Sequence, residues 1–432
     1  MKIIIDKNFV LRNMFLFLFL FVMLVPGFRN ADEGGGGVEV LAILIFIFLS
    51  LLVLGFYKFP FSSLKGPFIF AVFFQILLAV VALINREGDS GLGYLFLAVR
   101  PLFLFTIAFL FFLYFVNFKD PDGAVVSCLL LLTLLMAFWN FLQLINFGWF
   151  DEVNKLLYKR EGFVWERTYI SFFVTTYFAG YISYVICCVF FSLSVVRKNS
   201  LYVVAFLISS VCLVMAQSKA MYVSLMIMPF LVLFFSANKI PLKVFIVLLL
   251  MISFLFVLAF KADILAFIAG YNEFIIANSA HRLLADPESS MTLNYRLEQV
   301  FLAFSLMAEN ITLIGSGLGR ELYLESWVAA YVYRYGLYGL FGFFVISCYV
   351  FYINIGLYKM LLSKGYKDKT AGLVLGVAVW GVTLPITQIS SPMIDTGKTA
   401  FISMMLIGFT FYNHYRLMSF RKSHYFSCLS HS

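Results

Sequence analysis

Residues 38–56 read Val38-Glu39-Val40-Leu41-Ala42-Ile43-Leu44-Ile45-Phe46-Ile47-Phe48-Leu49-Ser50-Leu51-Leu52-Val53-Leu54-Gly55-Phe56, with one charged side chain near the start. About 20 residues, each rising about 1.5 Å, cover the roughly 30 Å hydrocarbon core of a bilayer, so this run predicts a membrane-crossing helix. Runs like it recur along all 432 residues, which are 63% hydrophobic and 12% charged. A soluble chain of this size needs far more polar surface to cover its core. Lipid offers no partner to a bare peptide group, so such runs are helices or strands of a closed barrel. Barrel strands are short and alternate apolar with polar, whereas these runs are continuously apolar, and helix wins.

The expectation is an all-α polytopic membrane protein, a single integral membrane domain over 1–432. Twelve spans are predicted at 12–28, 38–56, 67–84, 93–116, 123–145, 169–196, 200–217, 220–237, 242–260, 327–357, 371–389 and 399–415. Turn formers separate them, such as Gly34–Gly37 and Asp120-Pro121-Asp122-Gly123. The first apolar run follows Lys2, Lys7 and Arg12 as a signal peptide would, but no small-x-small cleavage site follows it, so it reads as a retained helix.

Charge sets the expected orientation. With the N-terminus in the cytoplasm, the inner segments hold 17 of the 31 basic residues and 4 of the 22 acidic ones. The short outer loops hold only Arg29, Arg86, Lys219 and Lys398. Both termini are then cytoplasmic. The net charge of +9 reads as loop anchoring, not as a nucleic-acid surface. The cysteines have no CxxC spacing and, apart from Cys428, read as small buried hydrophobes.

Two outer segments, 146–168 and 261–326, carry 8 basic residues on the face where such residues are disfavoured. Long loops in a compact protein are usually functional, so the chemistry is sought there. The first contains Tyr158-Lys159-Arg160-Glu161-Gly162-Phe163-Val164-Trp165-Glu166-Arg167-Thr168. Arginine forks match phosphate oxygens, and the same composition also suits an anchor at the headgroup level. In the second loop, Leu297, Val300, Phe301, Phe304 and Met307 fall at helical spacing and predict an amphipathic helix over 295–309. Arg296 would lie in its first turn, against the helix dipole, and a residue that breaks a local rule points to function. Gly315-Ser316-Gly317-Leu318-Gly319-Arg320 is either a backbone cradle for phosphate or a hinge. It is no dinucleotide fingerprint, since no βαβ unit surrounds it. Glu325 precedes the tenth span and Arg334 lies inside it. The two read either as an ion pair or as a carboxylate base beside a cationic site. His281, His414, His424 and His431 show no metal-ligand grouping.

In order and placement these motifs resemble the O-antigen polymerase and O-antigen ligase superfamily. The resemblance rests on Arg160-Glu161-Gly162-Phe163 before a span, Gln217-Ser218-Lys219-Ala220 between two spans, and Asn294-Tyr295-Arg296 opening a helix that runs toward Ile314-Gly315-Ser316-Gly317-Leu318-Gly319. Glu325-Ser326-Trp327 and Tyr335-Gly336-Leu337-Tyr338-Gly339-Leu340 complete it. Ligases are expected to carry a histidine where Glu325 stands, which points to the polymerase branch.

The resemblance implies a GT-C-like inner-membrane glycosyltransferase acting on oligosaccharide repeat units carried by undecaprenyl diphosphate. Membrane lipids and a chain-length regulator protein are its other implied partners. It implies no cofactor and no metal. Arg296 and Arg160 are assigned to the leaving diphosphate, with Arg167, Lys219, Arg320 and Arg334 as further substrate-binding candidates and Glu325 as the base. The rivals are a ligase, a transporter or flippase, and a membrane scaffold. A transporter usually carries ionisable groups at mid-membrane, where these spans hold chiefly glutamines such as Gln75, Gln143 and Gln388.

Overall fold

The computed structural model describes residues 7–26, 37–55, 65–84, 92–145, 148–158, 169–173, 175–237, 240–259, 263, 266, 291–309, 315, 324, 326–389, 391–395 and 397–429. Among them the chain is helical, with no strand. The first five helices are α1 (Lys7–Leu24), α2 (Gly37–Leu54), α3 (Lys65–Ile84), α4 (Leu92–Asn117) and α5 (Pro121–Leu144). Then come α6 (Phe150–Tyr158), α7 (Thr176–Arg197), α8 (Ser200–Met215), α9 (Lys219–Ser236) and α10 (Ile240–Ala259). The last four are α11 (Met291–Glu309), α12 (Trp327–Ser363), α13 (Lys369–Thr387) and α14 (Gly397–Leu429). A helix occupies each of the twelve stretches read as spans, and α6 and α11 lie in the two expected loops. Six helices are long and apolar enough to cross a membrane among the described residues, namely α4, α5, α7, α9, α12 and α13.

Helix boundaries follow local chemistry. Asp120 accepts from the Gly123 amide at 2.9 Å with Pro121 at the first helical position, and Asp368 caps α13 through Ala371 at 3.0 Å. These short side chains satisfy amides that no earlier carbonyl can reach. Lys198 closes α7 with left-handed backbone, φ 52°.

The centre of the bundle is the pair α7 and α13. In each, 78% of the apolar window is buried by protein. Apolar burial gives helices no reason to associate in lipid, so close contact needs small residues. Gly372 and Gly376, one turn apart, provide it. A Cβ at Gly376 would stand 2.7 Å from Val189 Cα, and one at Gly372 2.9 Å from Leu193 Cα. Hydrogen bonds lock the register, with Tyr184 donating to Thr383 at 2.8 Å and Trp380 to Tyr181 at 3.1 Å.

α14 differs from a lipid-facing span. It lies against α4 and α12 and falls short of the apolarity of the six helices above. Its buried polar groups find partners within the bundle. Ser403 shares a hydrogen bond of 2.9 Å with Tyr181, and Thr410 and Asn413 both meet Asn354. A helix wrapped in protein can carry such groups because neighbouring helices satisfy them.

The two ends of the bundle differ in chemistry. At one, Arg416 pairs with Asp122 at 3.1 Å, Lys369 with Asp120 at 2.6 Å, and Arg12 donates to Ser127. At the other, here the loop face, α6 meets the ends of α1, α5 and α14, and α11 meets the start of α7. Of the cysteines, Cys128, Cys187, Cys188 and Cys212 are buried as expected, whereas Cys348 is exposed on the bundle surface.

Candidate functional site

The helix in the second loop begins at Met291, four residues earlier than its apolar spacing predicted. Arg296 therefore lies in the second turn, not the first, and the expected clash with the helix dipole largely disappears, since that field fades within one turn. The Arg296 side chain is half-buried. Its Nη2 donates to Tyr177 Oη at 2.9 Å, and the guanidinium carbon stands 5.4 Å from the Tyr177 ring centroid. Tyr177 is the second residue of α7, so the arginine is seated on that helix's opening turn. The face of α11 carrying Ala303 packs on Ala329, Ala330 and Val332 of α12, which holds α11 across the loop face.

Lys219 stands at a neighbouring helix start. It is the first residue of α9, and the Ser218 that precedes it packs on Gly180, so closely that a Cβ there would stand 2.7 Å from Ser218 Cβ. Gly180 lies one turn beyond Tyr177. Ser218 Oγ is fully buried and makes no hydrogen bond among the described residues. The N-termini of α7 and α9 thus open together at the loop face. Two helix starts with positive dipole ends, an arginine and a lysine form a setting that favours an anion.

Arg334 belongs to a second feature. α12 breaks at Gly336, with φ 61° and ψ −153°, a region only glycine enters at low cost. Gly315 docks into this break with φ 76°. A Cβ there would lie 2.5 Å from Gly336 N and 2.8 Å from the Tyr333 carbonyl. The glycine-rich segment is therefore pressed at its first residue against the turn that carries Arg334.

The third feature escaped the sequence reading. α6 folds back on the end of α5, with Trp139 Nε1 donating to buried Asn154 at 3.0 Å. Tyr158 donates to the Leu24 carbonyl at 2.7 Å, tying α6 to α1. Into this aromatic cluster projects Lys398, only 2% exposed, from the first turn of α14. Its Nζ donates to the Phe172 carbonyl at 3.2 Å and lies 5.1, 5.8 and 5.7 Å from the Tyr158, Phe172 and Phe173 rings. Burial pulls its ammonium down to about 8, and the Glu39 charge opposes that shift. Glu39 also touches Gly397, where a Cβ would overlap the carboxylate. Lys398 is enclosed, so it reads as a structural cation and not as a ligand for substrate. Its only signal in the sequence was a lysine in a short outer loop. The aromatic partners lie more than 200 positions away and gave none.

Arg160, Arg167, Arg320 and Glu325 lie outside the described residues. Both flanks of 159–168 are nevertheless fixed, through Tyr158 and Phe172 on Lys398 and through the Tyr169 amide on the Met215 carbonyl at 3.3 Å. No group of three metal-ligating side chains comes together among the described residues. His414 instead shares a hydrogen bond with Tyr349 at 2.8 Å.

Fold and composition define an all-helical protein built for a membrane, crossing it more than once. The chain matches no protein-family model and no curated protein.

Proposed function

We propose that the protein is a glycosyltransferase that polymerises undecaprenyl-diphosphate-linked repeat units into O-antigen or a related surface polysaccharide. In this reading it crosses the bacterial inner membrane twelve times with both termini in the cytoplasm, and the loop face is periplasmic. The observation that carries it is the Arg296 guanidinium seated on the opening turn of α7, beside the N-terminus of α9 and the orphaned Ser218 hydroxyl.

A hydroxyl of the incoming repeat unit attacks the anomeric carbon of the growing chain. The bond from that carbon to the diphosphate oxygen breaks, and its electron pair leaves with the diphosphate. The hydroxyl proton passes to a base, the role given to Glu325. Stabilising developing charge is usually the largest catalytic contribution, on the order of 3 kcal/mol for one donor. Arg296 supplies it here, with Arg160 as its partner and Arg167, Lys219, Arg320 and Arg334 as further contacts. Cations of this kind take the role of a metal, so activity is expected to survive chelation.

The test is the lipopolysaccharide ladder of a deletion strain complemented with wild type or Arg296→Ala at equal membrane levels. The expected result is long chains with wild type and a core bearing a single repeat unit with the variant. A core with no repeat unit in the deletion strain identifies a ligase instead. A normal ladder in the deletion strain removes O-antigen polymerisation altogether.

A further inference from the structure

A cavity of about 390 Å³ lies between α3, α4, α12 and α14, within the size range of small-molecule sites. Its lining is almost wholly apolar and includes Phe74, Leu104, Phe105, Ile346 and Phe411. On α4 its wall runs from Arg100 to Ala108, eight residues or about 12 Å at the rise of a helix. It sits behind α3, a helix whose outer face exposes Ile69, Phe73 and Ile76. One side chain in its wall carries a charge, that of Arg100.

The depth of Arg100 identifies what the cavity suits. α4 has 26 residues, about 39 Å, which overshoots the roughly 30 Å hydrocarbon core. Its other end, Asn117, is followed at once by Lys119 and Asp120, which mark the membrane boundary there. Counting back about 30 Å places the opposite boundary near residue 97. Arg100 then lies about one turn below the boundary at the loop face. From that depth a guanidinium on its flexible stem reaches the headgroup layer. A cation at the headgroup level in the wall of an otherwise apolar cavity is complementary to one molecule type, an anionic lipid.

We propose that this cavity holds one hydrocarbon chain of an anionic phospholipid from the surrounding bilayer, with its phosphate on Arg100. This site is separate from the Arg296 and Lys219 setting and stands or falls independently of the polymerase reading. It rests only on α4 crossing a membrane. α3 forms one wall of the cavity and packs directly on α12 there, so closely that a Cβ at Gly342 would overlap the Phe74 ring.

The test is native mass spectrometry of the full-length protein, purified in mild detergent and exchanged against equal amounts of phosphatidylglycerol and phosphatidylethanolamine. Three proteins are compared: wild type, Arg100→Gln, and Ala108→Phe, which fills the cavity without touching the charge. The expected result is one retained phosphatidylglycerol on wild type and at least a fivefold lower occupancy on each variant. Each variant's melting temperature, taken alongside, shows that it is folded. Equal retention of the two lipids by wild type, or unchanged retention by folded Arg100→Gln or Ala108→Phe, overturns the proposal. Displacement of the phospholipid by stoichiometric undecaprenyl phosphate also overturns it, since the cavity would then be a site for polyprenyl lipid.

Discussion

Lys398 Nζ donates to the carbonyl oxygen of Phe172 across 3.2 Å, and the same ammonium lies 5.1 Å from the ring of Tyr158. Tyr158 and Phe172 flank the arginine-rich segment 159–168, so one buried cation pins both of its ends. Glu39, itself nearly buried, supplies the nearby negative charge. Removing one partner of such a pair leaves the other buried and uncompensated, which costs more than losing both. Lys398→Met is expected to destabilise by about 2–4 kcal/mol. Adding Glu39→Gln is expected to recover part of that loss. Thermal melts of the two single variants and the double in detergent check this, and simple additivity would exclude the coupling.

The same lysine predicts a pH dependence. Burial lowers its ammonium from the ordinary 10.5 to about 8. Between those values the unfolded chain binds more protons than the folded one, so this group makes stability rise with pH from about 8 and level off near 10.5. Below about 8 both states are protonated and the contribution is flat. The difference in melting temperature between wild type and Lys398→Met is expected to move in favour of wild type across that window. A constant difference from pH 7 to 10.5 contradicts it.

Glycine substitutions separate strain from contact. Gly315→Ala meets three backbone atoms of the broken turn of α12 and a φ of 76°. It is expected to destabilise by about 3 kcal/mol or more and to shorten the polymer, because it pushes on the turn carrying Arg334. Gly365 has a similar φ of 78° but nothing within 4 Å. Gly365→Ala is expected to cost about 1 kcal/mol, the backbone strain alone, and to leave chain length unchanged. Chemical melts and gel ladders of the two variants check the contrast.

The packing of α13 on α7 makes a similar comparison. Gly376→Ala forces a methyl group into the Val189 backbone 2.7 Å away, whereas Gly356→Ala finds only Leu417 at 3.9 Å. The first is expected to destabilise by about 2–3 kcal/mol through overpacking. The second is expected to stabilise by about 0.5–1 kcal/mol through helix propensity. Loss of stability in both variants would contradict this account of the interface.

How much of this was legible in the sequence follows from the range of the interactions. Apolar length is a local property, and each of the twelve runs read from it is a helix. The periodicity of Leu297, Val300, Phe301 and Phe304 likewise placed α11. α6 was missed although Phe150, Val153 and Leu157 fall at helical spacing, because its nine residues lie in a stretch read as a loop. It holds its shape through Trp139 and Asn154, which come together only in the fold. α14 read as one more span, yet Thr399, Ser403, Thr410 and Asn413 mark it as enclosed by protein. Arg100 passed unnoticed inside an apolar run, since its meaning depends on a cavity built by three other helices. Lys398 and Tyr177 belong to the same kind, residues whose partners are remote in the chain.

Tyr177 yields the sharpest test of the site. Its hydroxyl accepts from Arg296 Nη2 at 2.9 Å, while its ring faces the guanidinium. Tyr177→Phe removes the acceptor and keeps the ring, so Arg296 stays near its place with one fixed contact fewer. A hydrogen bond to a charged group contributes about 1.5–3 kcal/mol, which in a transition state corresponds to a loss of about 10- to 100-fold. In purified protein supplied with lipid-linked repeat units, Tyr177→Phe is expected to lower turnover by that factor with little change in melting temperature. Arg296→Lys is expected to lose more, because an ammonium cannot reproduce a planar fork that holds a tyrosine and an anion together. If Tyr177→Phe polymerises at the wild-type rate while Arg296→Ala is inactive, the arginine acts without this seat. If both variants match wild type, the opening turn of α7 is not where the diphosphate binds.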